Sequence, residues 1–273
     1  MKLLILYYSG TGNTEFACTV ARLAAEKEGH RVTMSTYGNA EGLLPGDFDA
    51  CCFATPVQAW HPMRNVERFL KAMPRLPGQA AFLISTSGGM PSQVASQMTR
   101  WLREKGMVVY GHFDLKCPDS FPVTRRITRR QDPRWPSPGS VRALAGFTVE
   151  MLDWISDGSR GEAGELPGLH LIPTPLYLFS RLERMSSRFP DMVMGKKKAD
   201  HSACTRCGKC ASGCPAGAIE LDPFPVYSRE CDACWKCVNL CPEDCISTPI
   251  AGRYHYKGIG NREGLLKEAG LLD

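Results

Sequence analysis

Eight cysteines near the C-terminal end fall into two groups with one spacing. The first is Cys204, Cys207, Cys210 and Cys214, followed by Pro215; the second is Cys231, Cys234, Cys237 and Cys241, followed by Pro242. Both read C-x2-C-x2-C-x3-C-P. Thiolates packed this closely are soft donors, and two chemistries use them: an iron–sulfur cluster or a tetrahedral zinc. Two complete repeats, each ended by proline, weigh towards clusters, because zinc asks only for paired CxxC steps. Cys245, just beyond the second group, reads as a small buried residue against that centre, with alternative ligation kept open. Trp235 and Lys236, inside the second group, are placed to tune its exposure and hydrogen bonding.

A different chemistry is written near residue 10. Ser9, Gly10, Thr11, Gly12, Asn13 and Thr14 follow an apolar run and open an amphipathic one. Backbone N–H groups at such a helix start, with small hydroxyl side chains beside them, make a cradle for phosphate. Two rival loops are excluded. A triphosphate loop needs a following Gly-Lys-Ser/Thr, and no lysine is present. A dinucleotide turn needs a third glycine where Glu15 stands.

The elements that must position these groups alternate between short apolar runs and longer amphipathic ones. Strands are expected at Leu3–Tyr8, Arg31–Thr36, Phe48–Ala54, Ala80–Thr86 and Met107–Leu115, and helices at Thr14–Gly29, Met63–Ala72, Ser92–Lys105 and Ser140–Ser156. That alternation predicts an α/β domain with a doubly wound, parallel, five-stranded sheet, which binds ligands beyond the carboxyl ends of its strands. Residues 1–157 are expected to form it. Residues 158–198 read as a linker in which Thr174–Phe189 has the pattern of an amphipathic helix, 199–248 as a small cysteine-bearing α+β domain, and 249–273 as a tail ending in a short helical pattern.

Composition narrows the setting. Of 13 cysteines, nine fall between Cys204 and Cys245, unlike a secreted disulfide scaffold, so a reducing cytoplasm is expected. The longest apolar-leaning stretch, Leu166–Phe179, is broken by Pro167, Pro173 and Pro175 and is too short to cross a bilayer. Leu3–Tyr8 is shorter than an export-signal core and reads as a strand. The formal net charge of +5 comes from one segment, Lys116–Arg142, which carries seven basic residues against Asp119 and Asp132. Nucleic acid is therefore not an expected partner. Within that segment Arg125, Arg126, Arg129 and Arg130 read either as a surface for an acidic redox partner or as a solvated loop.

The cysteine spacing resembles that of bacterial two-cluster ferredoxins. That resemblance implies two [4Fe-4S] clusters with a crossed ligand set: Cys204, Cys207, Cys210 and Cys241 for one, Cys231, Cys234, Cys237 and Cys214 for the other. The loop at Ser9–Thr14 resembles the phosphate loop of flavodoxins, which hold flavin mononucleotide (FMN) with small polar side chains and N–H groups and no cation. The implied ring contacts are Thr55, Pro56, Val57 and Trp60 after the third strand and Thr86, Ser87, Gly88 and Gly89 after the fourth, with Trp60 as the stacking residue. The loop at Thr55–Trp60 has no glycine, and the domain is not acidic, which sets both apart from many flavodoxins. Taken together the chain resembles the flavodoxin–ferredoxin fusion family. A flavodoxin-like sheet followed by a two-cluster ferredoxin domain is the expected architecture.

The function this implies is electron transfer between FMN and two [4Fe-4S] clusters, in contact with a redox protein partner. Two alternatives stay open: a flavin-dependent reductase of a small organic acceptor, with an apolar face near Trp60 and Met90, and a non-catalytic redox sensor or docking module. No nucleophile–base pair is legible, so no catalytic residue is assigned. Cys18, Cys51, Cys52 and Cys117 read as core packing.

Overall fold

The computed structural model describes residues 1–58, 61–91, 93–120, 135–158, 196–249, 256 and 258–273. Trp60, the arginine-rich loop and the amphipathic pattern at Thr174–Phe189 lie outside the described residues. The chain divides into two compact units. One takes in Met1–Pro118, the helix Pro138–Ser156 and Ile259–Asp273; the other takes in residues 196–249.

The first unit runs β1 (Lys2–Tyr7), α1 (Asn13–Lys27), β2 (Arg31–Thr36), β3 (Ala50–Pro56), α2 (Arg64–Ala72), β4 (Ala80–Ser87), α3 (Val94–Glu104), β5 (Val108–Lys116) and α4 (Pro138–Ser156). Its sheet has the order β2-β1-β3-β4-β5, and every pairing is parallel. This is the flavodoxin-like order, with its switch point between β1 and β3. The three inner strands are apolar almost throughout, because helices cover both faces; β2, at the edge, exposes Arg31 and Thr33.

Strand alternation divides the core. Leu3, Ile5, Cys52, Ala54, Phe82 and Ile84 pack with Phe16, Ala17, Val20 and Ala21 of α1 and Val141, Leu144 and Met151 of α4. Their neighbours Leu4, Leu6, Cys51, Phe53, Ala81 and Leu83 are as deeply buried and point the other way. Helix α4 starts where local chemistry dictates. Ser137 caps it by accepting from the Ser140 N–H at 3.2 Å, and Pro138 occupies its first turn.

Most boundaries shift by one or two residues from the sequence expectation. β3 begins at Ala50 rather than Phe48, because Pro45–Asp47 forms a tight turn closed by the Phe48 N–H on the Pro45 carbonyl at 3.2 Å. It continues to Pro56, since Thr55 and Pro56 still align with Ser85 and Thr86. Helix α3 starts at Val94, two residues inside the expected span.

The second unit contains β6 (Lys198–Ala199), α5 (Lys209–Ser212), β7 (Ile219–Leu221), β8 (Pro225–Tyr227), α6 (Lys236–Leu240) and β9 (Ile246–Ser247). β6 pairs with β9 and β7 with β8, both antiparallel. Its buried cluster is Cys210, Ile219, Trp235, Cys237, Val238, Cys245 and Ile246, so three of seven members are cysteines. Helix α7 (Arg262–Glu268) then belongs to the first unit. Ile259 and Leu266 are buried in that unit's core, with Leu265, Ala269 and Leu271 packed against it.

Candidate functional site

In the first unit the loops after β1, β3 and β4 meet at one edge of the sheet. Helix α1 is entered through Gly12 at φ +92°, a left-handed conformation that strains any side chain. The Ser9 hydroxyl accepts from the N–H groups of Gly12 at 3.1 Å and Glu15 at 3.3 Å, which folds the loop over the helix start. Thr14 and Thr86 share a hydrogen bond of 2.8 Å between their hydroxyls, and the Val57 N–H donates to the Thr86 carbonyl at 2.9 Å. All three loops are thereby tied together. Asn13 donates from its amide to the Pro118 carbonyl at 3.1 Å, and Thr55 accepts from the Met63 N–H at 3.3 Å.

A buried polar network sets the third loop. Asp114 on β5 accepts from the hydroxyls of Ser85 at 2.5 Å and Ser87 at 2.6 Å, and Ser87 accepts in turn from the Gly89 N–H at 3.0 Å. Gly89 has φ +99°. The Ser85 hydroxyl is also 2.9 Å from Nε2 of His112, whose pKa burial lowers to about 4, so the ring is neutral. Serine, histidine and carboxylate thus stand together, but Ser85 has no exposed surface and cannot meet a substrate. The network positions the turn.

Of the sequence-assigned flavin contacts, the structure gathers Ser9–Thr14, Thr55–Val57 and Thr86–Gly89. Three residues near these loops had no sequence signal. Lys116 lies against Gly89, 3.3 Å at Nζ from where a Cβ would stand, and its ammonium sits 4.4 Å from the Trp135 ring centroid. Arg262 lies against Gly12. Cys18, Cys51, Cys52 and Cys117 are all buried, and burial raises each thiol, Cys51 to about 12, which leaves them unreactive.

In the second unit the cysteine repeat is also a repeat of backbone conformation. Arg206 (φ +57°) and Ala233 (φ +51°) are left-handed at matching positions, as are Gly208 (φ +77°) and Trp235 (φ +64°), which start α5 and α6. Three of these four carry side chains, so the strain is held in place by the loop they form. Left-handed residues of this kind are the turns from which backbone N–H nests for anionic groups are made.

The two loops surround two cavities. Cys204, Cys207, Cys210 and Cys241 line one, of about 340 Å³ including its open mouth. Cys214, Cys231, Cys234 and Cys237 line the other, of about 270 Å³ on the same basis. Each group therefore sends its fourth cysteine to the other cavity. The surroundings differ. Cys245 joins the first cavity, with its sulfur 3.4 Å from that of Cys241, and Cys207 is exposed. In the second, Lys197 donates to the Cys231 sulfur at 3.3 Å and reaches the rings of Tyr227 and Trp235 at 5.9 and 5.7 Å. Burial pulls the Lys197 pKa down, but its interactions with Cys231, Cys237 and Cys234 outweigh that and the net shift is upward. Burial pushes the Cys237 thiol up to about 12, and Lys197 opposes that shift.

The 4Fe-4S dicluster domain family matches residues 196–242. The chain joins a unit with the flavodoxin-like strand order to a stretch that matches the 4Fe-4S dicluster domain family. Solved structures similar to the first part of this fusion include a flavodoxin from the domain Archaea, 13% identical with a TM-score of 0.44, covering 57% of this chain and 99% of that one. A flavodoxin from Megasphaera elsdenii is 17% identical with a TM-score of 0.41, covering 54% and 98%. The rubredoxin oxygen:oxidoreductase of Desulfovibrio gigas is 14% identical with a TM-score of 0.45, and its alignment covers 57% of the fusion and 36% of that longer chain. No curated protein matches. Among the described residues of the fusion, no helix is long and apolar enough to cross a membrane.

Proposed function

We propose that the fusion is an electron-transfer protein that holds FMN on its first unit and two [4Fe-4S] clusters on its second. The observation that carries this is the crossed partition of the eight repeat cysteines into two separate cavities. Two complete sets of four cysteines line two separate cavities, and the 4Fe-4S dicluster family match falls on the same stretch. Cys204, Cys207, Cys210 and Cys241 would hold one cluster, and Cys231, Cys234, Cys237 and Cys214 the other.

In the first unit Ser9–Thr14 would bind the phosphate through backbone N–H groups and small hydroxyls. Thr55–Val57 and Thr86–Gly89 would flank the ring, with Trp60 and Trp135 as aromatic candidates beside it. Asp114 fixes the ring-side turn through Ser87, and the glycines at 12 and 89 let backbone approach where a side chain could not. Flavin exchanges two electrons and each cluster one, so the bound groups would together join hydride-level chemistry to single-electron carriers. Cys207 is the exposed member of its group. This favours the first cavity as the place where a redox protein partner exchanges electrons.

The test is anaerobic purification followed by quantification of iron, sulfide and released flavin. About eight irons and about one FMN per chain are expected, four irons for each cluster. Eight irons with no flavin, even after reconstitution, would overturn the flavin half of the proposal; zinc in place of iron would overturn the cluster half.

A second reading, reduction of a small organic acceptor over the flavin, draws on Met90. It is 62% exposed directly after the third loop and offers apolar surface there. Acceptor-dependent oxidation of the reduced flavin that continues after both clusters are removed would favour it.

A further inference from the structure

The stretch after the cysteine groups brings a cation to the phosphate loop. A Cβ built on Gly12 would collide with Nη2 of Arg262 and stand 3.4 Å from its Cζ and 3.6 Å from its Nη1. Gly12 is thus required for its left-handed backbone, and the guanidinium of Arg262 occupies the space beside it. The arginine is held there by built structure. Asn261 caps α7 by accepting from the Gly264 N–H at 3.1 Å, which starts the helix at Arg262. Arg142 of α4 donates to the Glu268 carbonyl at 2.8 Å and Lys27 of α1 to the Gly270 carbonyl at 3.0 Å. Ile259 and Leu266 are buried in the core on either side.

We propose that Arg262 is the counter-charge for the phosphate of FMN, so that the flavin site is completed by chain lying beyond the cluster-bearing unit. This rests on the FMN reading above and adds to it a cation. A planar guanidinium suits the task, since its paired N–H groups match two phosphate oxygens. Among the described residues no carboxylate forms an ion pair with Arg262. The acid nearest the loop in sequence is Glu15, in the first turn of α1, which is engaged with Tyr7. The arginine's field also reaches Cys117, whose thiol burial and Asp114 push up and Arg262 pulls down. Cys117 precedes Pro118, the residue that holds Asn13 of the loop.

The experiment compares FMN with riboflavin, which lacks the phosphate. Affinities are read by flavin fluorescence on the flavin-stripped, cluster-loaded protein, for wild type, Arg262→Gln and Arg262→Lys. Truncating the last residues is avoided, because Ile259 and Leu266 are core. Expected is an FMN affinity weakened by about tenfold to a hundredfold in Arg262→Gln, the range of a charge-assisted hydrogen bond. Riboflavin affinity, iron content and melting temperature stay at wild-type values, and Arg262→Lys recovers part of the loss. Added salt weakens FMN binding more in wild type than in Arg262→Gln. Equal FMN affinity in wild type and Arg262→Gln would overturn the role of Arg262 while leaving FMN in place. Wild type that binds neither flavin would overturn the underlying FMN reading. Should Arg262→Gln misfold, the wild-type preference for FMN over riboflavin and its salt dependence decide. No preference overturns the proposal.

Discussion

The candidate sites of the two units are built in opposite ways. In the first, the core is complete without any ligand: β1, β3 and β4 are buried along their length, and α1 and α4 close over one face. Its candidate site is a set of loops at the sheet edge, pinned by hydroxyls and one carboxylate. In the second, the candidate ligands are themselves the core. Cys210, Cys237 and Cys245 are three of its seven buried members, and Cys204, Cys214 and Cys241 pack around them. A fold with so little apolar volume gains its stability from what its ligands bind, as small metal domains do. A bound group would be a guest in one unit and a structural element in the other.

The largest effect that could break this contrast is loss of iron. Substituting Cys207→Ser and Cys234→Ser together should leave the second unit without protection from hydrogen exchange, while β1, β3 and β4 of the first stay protected. A second unit that remains protected without iron would remove the distinction. Next in size is the crossed ligand set. Cys214→Ser should empty the cavity of Cys231, Cys234 and Cys237 and lower iron by about half, four of the eight atoms of two clusters. Loss of the other cluster's electron paramagnetic resonance signal instead would mean the groups are not crossed.

Acid should separate the units by a smaller amount. Burial holds His112 neutral with a pKa near 4. A histidine depressed below its unfolded value of about 6.5 contributes stability above that pH, and the contribution is lost as pH falls towards the folded pKa. The first unit should therefore lose up to about 3 kcal/mol between roughly pH 6.5 and 4, seen as faster exchange in β4 and β5. His112→Gln should flatten that slope if the imidazole causes it, and an unchanged slope would assign it elsewhere.

The smallest effect sharpens the contrast inside the second unit. Lys197 places a positive charge 3.3 Å from the Cys231 sulfur, and the first cavity's added sulfur, from Cys245, is neutral as a thiol. A nearby cation favours the more negative, reduced cluster. Lys197→Gln should therefore lower one cluster's midpoint potential by some tens of millivolts, while Cys245→Ala shifts neither comparably. Redox titration followed by electron paramagnetic resonance separates the two, and equal shifts of both clusters would deny the difference in surroundings.

Much of this was legible in the sequence, and where it was not the reason is physical. The five strands and the helices α1 to α4 of the first unit could be read because a strand buried on both faces must be continuously apolar, and a helix over a sheet must be apolar on one side. The loop proposed to take the phosphate could be picked out because its pattern is local, six consecutive residues at one helix start. The first three cysteines of each group were legible for the same reason, since their close spacing lets them face one centre, whereas the crossing of the fourth was implied only by the resemblance.

What only the tertiary structure decided is everything that depends on residues far apart in the chain. Nothing in the pattern around residue 262 relates it to Gly12, and only the packing of Ile259 and Leu266 into the first unit's core brings the arginine to the loop. Asp114 as the holder of the ring-side turn, and Lys197 beside Cys231, are contacts of the same kind. Sequence determined which elements form and which groups carry chemistry, because those follow from local periodicity and spacing. The charges that surround those groups were decided by the fold, because an electrostatic field depends on distance in space rather than on separation along the chain.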